Sequence, residues 1–182
     1  MPSIPFDTRE VLLKAIYEGS VTHRRRTAQA LAHHYGEKLR QDSAIAHQLY
    51  ELQEIAKDLV HHMRLMALHD LCHDCASRSD GGCCSSYMAG ETDGLQLLVN
   101  ILLGIDIEDY RDNGPECCYL GPQGCIFAIK PIFCLNYNCH HILTGGTPVH
   151  LTRLEQLTGQ LLNCQYRLEQ LLLDRLQRLI KG

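Results

Sequence analysis

Two stretches of the chain place apolar residues at helical spacing over many turns. Ile45, Leu49, Leu52, Ala56, Leu59, Met63 and Met66 are separated alternately by four and three positions, which is a heptad seam. Glu51, Glu54, Lys57, Asp58 and Arg64 fall on other faces. Further along, Leu154, Leu157, Leu161, Cys164, Leu168 and Leu171 step in the same way, and Leu172, Leu176 and Leu179 widen the stripe. Thr152 with Glu155 three residues later reads as a capping box at the start of this second long helix. Shorter helices are predicted at three places. Residues 6–18 carry Val11, Leu12, Ala15 and Ile16 on one face, and Gly19 stops them. Another helix begins near Thr22 and reaches Tyr35 and Gly36. A glycine inside a helix costs only about 1 kcal/mol, so Gly36 alone does not force a break. A third helix follows Asp93, covers Leu95, Leu97, Leu98, Val99, Ile101 and Leu102, and ends at Gly104.

The region between the two long patterns has no sustained period. Residues 76–91 are rich in Ser, Gly and Asp, which predicts a loop. Residues 105–150 hold Asn113-Gly114-Pro115, Gly121-Pro122, Gly124, Pro131 and Gly145-Gly146, so regular structure there should be short. The expected fold is mainly α, with long amphipathic helices flanking an irregular cysteine-rich segment. Three parts follow: an N-terminal helical region over 1–70, a metal-binding region over 71–150, and a C-terminal helix over 151–182 that packs on the N-terminal helices. The heptad pattern leaves open whether the long helices pair antiparallel within one chain or between the chains of a homodimer.

Composition narrows the function. With 182 residues the chain can bury one real core. Its 17 basic and 21 acidic side chains argue against nucleic acid or an anionic membrane as the main partner. The one basic run, Arg24-Arg25-Arg26, reads as a solvated helix face. No apolar run approaches the roughly 18 residues of a membrane span, and residues 1–19 lack the apolar centre of a secretory signal. A cytoplasmic location is therefore expected. In a reducing compartment, cysteines are better read as ligands or redox groups than as a disulfide framework.

Nine of the ten cysteines lie between positions 72 and 139. They run Cys72-x2-Cys75, Cys83-Cys84, Cys117-Cys118, Cys125, Cys134 and Cys139. Thiolates at short, fixed spacing suit a soft metal or an iron–sulfur cluster. A C-x2-C knuckle lets two thiolates meet one metal, and Gly81-Gly82 allows the backbone to fold tightly beside Cys83. Adjacent cysteines project in different directions, so each pair supplies one ligand to a given site. Tetrahedral zinc or a cubane cluster takes four thiolates. Hence either two centres form, or one centre is ringed by spare thiols. The all-thiolate character and nearby glycines favour a cluster; the knuckle and the lack of a Cys-Pro pair favour zinc. Cys164 lies on the apolar stripe of the last helix and reads as an inert buried thiol. His140 and His141, and His69 with His73 at i, i+4, are secondary ligand candidates. No nucleophile elbow, phosphate-binding glycine loop, H-E-x-x-H or dinucleotide fingerprint is present, so no catalytic site is expected. Glu91, Asp93, Asp106, Glu108 and Asp109 read as caps and loop residues.

The second half of the series resembles a known pattern. Cys118-Tyr119-Leu120, Gly124-Cys125-Ile126-Phe127, Lys130-Pro131-Ile132-Phe133-Cys134 and Cys139, with Cys72-x2-Cys75 and Cys83-Cys84 upstream, resemble the YkgJ-type cysteine-cluster family of zinc- or iron-chelating proteins. The resemblance covers residues 72–139. Seven residues rather than two separate Cys75 from Cys83, Phe127 stands for a tyrosine, and Lys130 stands for an arginine. The lysine keeps the positive charge but loses the bidentate fork. The resemblance implies metal ligation by Cys72, Cys75, Cys83, Cys84, Cys118, Cys125, Cys134 and Cys139, and leaves Cys117 without a counterpart. The expected protein carries a [4Fe–4S]-type cluster in electron transfer or redox sensing, with a protein redox partner. The alternative is structural zinc in an adaptor that acts through its helices.

Overall fold

Short polar side chains start the helices where the apolar period begins. Thr8 and Ser20 each accept the backbone N–H three residues on, and so cap α1 (Arg9–Tyr17) and α2 (Val21–Gln41). The computed structural model describes residues 8–68, 84–107, 114, 116–121, 124–136 and 139–181. α2 passes through Gly36 and runs on to Gln41. The break comes at Asp42, whose carboxylate accepts from Ala44 N and Ile45 N at 3.0 and 3.2 Å and starts α3 (Ser43–Leu65). A short α4 (Ser86–Gly90) occupies the end of the stretch expected to be loop. Asp93 caps α5 (Gly94–Leu102), accepting from Gln96 N at 2.7 Å, and Gly104 follows in the left-handed region.

β1 (Leu120–Gly121) and β2 (Gly124–Cys125) form an antiparallel pair with Leu120 opposite Cys125. Two short helices follow, α6 (Ile132–Asn136) and α7 (His140–Gly145). The last helix, α8, spans Pro148–Lys181. It therefore begins ahead of the expected cap at Thr152. Thr147 takes that part: its Oγ1 accepts from His150 N at 3.4 Å, and its carbonyl accepts from Leu151 N at 3.0 Å. Pro148 suits the first helical position because it needs no amide partner there.

The two heptad seams meet within one chain. Asp42 pairs with Arg175, Gln48 lies by Cys164, Glu51 pairs with Arg167, and His62 lies by His150. From the cap of α3 at Asp42 to His62 near its end, the partners on α8 run from Arg175 back to His150, so the helices are antiparallel. Ile45, Leu49, Leu52, Ala56 and Leu59 are buried against Leu154, Leu157, Leu161, Cys164 and Leu168. Met63 and Met66 remain half-buried at the end of the seam. No helix among the described residues is long and apolar enough to cross a membrane.

α5 is the centre of the other half. Leu95, Leu97, Leu98 and Val99 are fully buried, so the helix is enclosed on every side by α1, α2 and α8. Each such side chain contributes about 1.5–3 kcal/mol of transfer free energy. Gly94 lets α5 come this close. A Cβ there would lie 3.1 Å from Ile16 O and 3.2 Å from Ile16 Cα. Arg24 is drawn into the same packing and donates to Gly90 O at 2.7 Å. It is half-buried, whereas Arg26 is exposed, so the basic run is not wholly a solvated face.

Candidate metal centre

An enclosed apolar helix has no water for its polar side chains, so Gln96 and Asn100 of α5 must find partners inside. Both find the backbone of Ile129. Asn100 Oδ1 accepts from Ile129 N at 3.0 Å, and Asn100 Nδ2 donates to Ile129 O at 3.0 Å. Gln96 Nε2 donates to the same carbonyl at 2.6 Å. Asn100 thus pairs with Ile129 much as a strand neighbour would. Ile129 lies between Cys125 and Cys134, so this clamp fixes the middle of the cysteine segment to the hydrophobic core.

The hairpin is held on its other side by aromatic packing. Tyr119 and Phe127 are buried with ring centroids 4.3 Å apart, and Ile126 N donates to Tyr119 O at 3.0 Å. Cys117 N donates to Cys84 O at 2.8 Å, and Ser85 forms an antiparallel bridge with Glu116. Cys84 is thereby tied to Cys117 through the backbone. Cys134 sits on α6 and is exposed, while Cys139 is the half-buried N-cap of α7.

Cys117 lies among the other thiols although it matches nothing in the family pattern. Burial pushes its thiol up to about 12, and Cys125, Cys118 and Cys134 push in the same direction. The Tyr119 amide opposes them. Burial also raises the Cys125 thiol, offset by the Phe127 amide and by the positive charge of Lys130. None of the described cysteines forms a disulfide.

Among the described residues, no three Cys, His, Asp or Glu side chains are grouped closely enough to hold a metal ion. Cys72, Cys75 and Cys83 lie outside the described residues, as do His69 and His73. The donor chemistry that is present fits a soft metal. Cys118, Cys125 and Cys134 each act on the Cys117 thiol, and the positive charge of Lys130 acts on Cys125. Raised thiol values mean that a cation must displace the protons on binding. His140 is exposed, and its carbonyl accepts from Thr144 Oγ1 at 2.8 Å. Cys164 is fully buried on α8, with its sulfur 3.9 Å from Gln48 O.

No family model matches the chain, and no curated protein or solved structure is significantly similar to it.

Proposed function

We propose that the chain is a metal-binding protein whose cysteine segment carries a thiolate-ligated iron–sulfur cluster, serving electron transfer or redox sensing. The observation that supports it best is that Cys117, Cys118, Cys125 and Cys134 are carried by one hairpin and one short helix joined to the core through Ile129, with Cys118, Cys125 and Cys134 all acting on the Cys117 thiol. The ligands are drawn from Cys118, Cys125, Cys134 and Cys84, completed by Cys72, Cys75, Cys83 and Cys139. The family resemblance over residues 72–139 points the same way. When bound, such a cluster accepts and returns single electrons. The chain's own contribution is to hold the thiols on a clamped backbone, with the positive charge of Lys130, which acts on Cys125, as partial compensation for the charge of a thiolate centre. A cytoplasmic location and a protein redox partner belong to this reading.

Iron, zinc and acid-labile sulfide analysis of protein made without oxygen tests the reading. Brown protein with broad visible absorbance and matched iron and sulfide is expected. Separate Cys→Ser changes at Cys118, Cys125 and Cys134 should each lower the iron content. Colourless protein with stoichiometric zinc and no sulfide would replace the cluster with the structural-zinc adaptor. Metal content indifferent to all three changes would remove the site altogether.

A further inference from the structure

A second set of ionisable groups stands apart from the cysteines but is wired to them. On α8, Gln165 and Glu169 are one turn apart, and Gln165 Nε2 donates to Glu169 Oε1 at 2.7 Å. The same nitrogen donates to Gln96 Oε1, and Gln96 Nε2 donates to Ile129 O at 2.6 Å. The direction of this chain is forced. A backbone carbonyl can only accept, so Gln96 must present nitrogen to Ile129 and oxygen to Gln165. Gln165 must then present nitrogen to both of its neighbours, and Glu169 must accept. Gln165 Oε1, turned the other way, is buried with no hydrogen-bond partner. The chain therefore has one end on the backbone between Cys125 and Cys134, and the other on a carboxyl group.

Burial disfavours the charge of Glu169 most; the hydrogen bond from Gln165 favours it, and Asp93, the cap of α5, is a second carboxyl that opposes it. From α1, Tyr17 feels both carboxylates. From α2, Arg24 acts on Asp93. The α3 side of α8 holds Arg167 with Glu51 and Arg175 with Asp42. α6 carries no ionisable side chain except Cys134.

We propose that Glu169 is a proton-operated latch on the cysteine segment, acting through Gln165 and Gln96 on Ile129. Neutral, it leaves α8 docked on α5. Ionised, it turns toward water beside the Asp93 carboxylate, draws Gln165 off Gln96, and loosens the backbone at Ile129. The consequence for a metal centre rests on the proposed function; the latch itself does not.

The test is amide hydrogen exchange on the full chain, resolved at Ile129 and corrected for intrinsic rates, between about pH 5.5 and 8.5. Protection at Ile129 should fall about tenfold or more across this range relative to amides of α3. Glu169→Gln should hold it constant. Gln165→Met should leave overall stability pH-dependent but uncouple Ile129 from it. Wild type and Glu169→Gln with the same profile would overturn the latch, as would Ile129 and α3 amides that move together. Metal content, measured on the same samples, separates the two ideas. A working latch in protein that retains no metal sinks the proposed function alone, and a flat profile in metal-loaded protein sinks the latch alone.

Discussion

Asn100→Leu is the sharpest perturbation of the clamp. Asn100 and Ile129 are both fully buried, and two hydrogen bonds of 3.0 Å join them. Leucine keeps the approximate volume and suits a helix, so the change isolates the loss of polar contacts. The Ile129 carbonyl retains Gln96, but the Ile129 N–H is orphaned away from water. An orphaned buried donor costs about 1–3 kcal/mol, and the second lost bond adds about 0.5–1.5 kcal/mol. A loss of about 2–4 kcal/mol is therefore expected in urea unfolding, with an unchanged slope. A second readout is local. Alkylation of Cys125 should speed up by at least about tenfold, since 1.4 kcal/mol of easier opening is a factor of about ten. Asn100→Asp sharpens the test. It preserves the acceptor for Ile129 N but sets a carboxylate oxygen against the Ile129 and Gln96 carbonyls. It should be worse than Leu at neutral pH and recover in acid as the carboxyl takes a proton. A cost below about 0.5 kcal/mol for Asn100→Leu would refute the argument, because it would mean that the backbone finds other partners at no penalty.

Three further outcomes follow from single sites. Gly94→Ala should lower thermal stability by about 1–3 kcal/mol, despite alanine's better helix propensity, because the new methyl meets Ile16 backbone atoms at 3.1 and 3.2 Å; a net gain would show that α1 can move away. Glu169 is raised from 4.5 to about 7, chiefly by burial. Its folded form thus holds the proton more tightly than the unfolded chain, so its stabilisation is complete below about pH 4.5 and lost as pH rises to about 7. Glu169→Gln should cancel that loss, gaining on the order of 2–3 kcal/mol over wild type between the two ends of the range, as read by urea unfolding at several pH values; parallel curves would exclude it. Zinc added to metal-free protein should release protons from the buried Cys125 thiol, measured by calorimetry in buffers of different ionisation enthalpy, and binding without proton release would contradict the raised thiol value.

The long helices were legible because gaps of three and four, sustained over many turns, arise from little besides an amphipathic helix. Ile45 to Leu59 and Leu154 to Leu168 are buried as their spacing implied. Helix ends were less so. Thr152 and Glu155 match a capping box, but a local motif cannot register that Pro148 and Thr147 already start the helix one turn earlier. The second helix was expected to reach Gly36 but runs on to Gln41, because the break is made by the Asp42 cap that starts α3. Cysteine spacing marked the candidate site, since ligands for one centre cluster along the chain. The clamp left a fainter trace. Gln96 and Asn100 are the polar pair at i, i+4 in an otherwise apolar helix, which says that a buried partner exists but not which one. That partner, Ile129, is 29 positions from Asn100, and only the fold brings them together. The same holds for Cys117, whose place among Cys118, Cys125 and Cys134 depends on how the chain turns back at the hairpin.

The clamp also bears on what loss of metal would do. In small zinc modules the metal supplies the folding free energy, and removing it unfolds the chain. A hairpin with two residues per strand has no independent stability either. Here, however, its surroundings are also held by contacts with the helical core. Asn100 and Gln96 grip Ile129 from a buried helix, Tyr119 packs on Phe127, and the α3–α8 seam is complete on its own. A chelator should therefore strip a centre while the far-UV circular dichroism and the cooperative unfolding transition persist. The change should be confined to the cysteine segment, as faster alkylation of Cys118 and Cys134. Wholesale loss of helix on chelation would show instead that the metal, and not the clamp, organises the core.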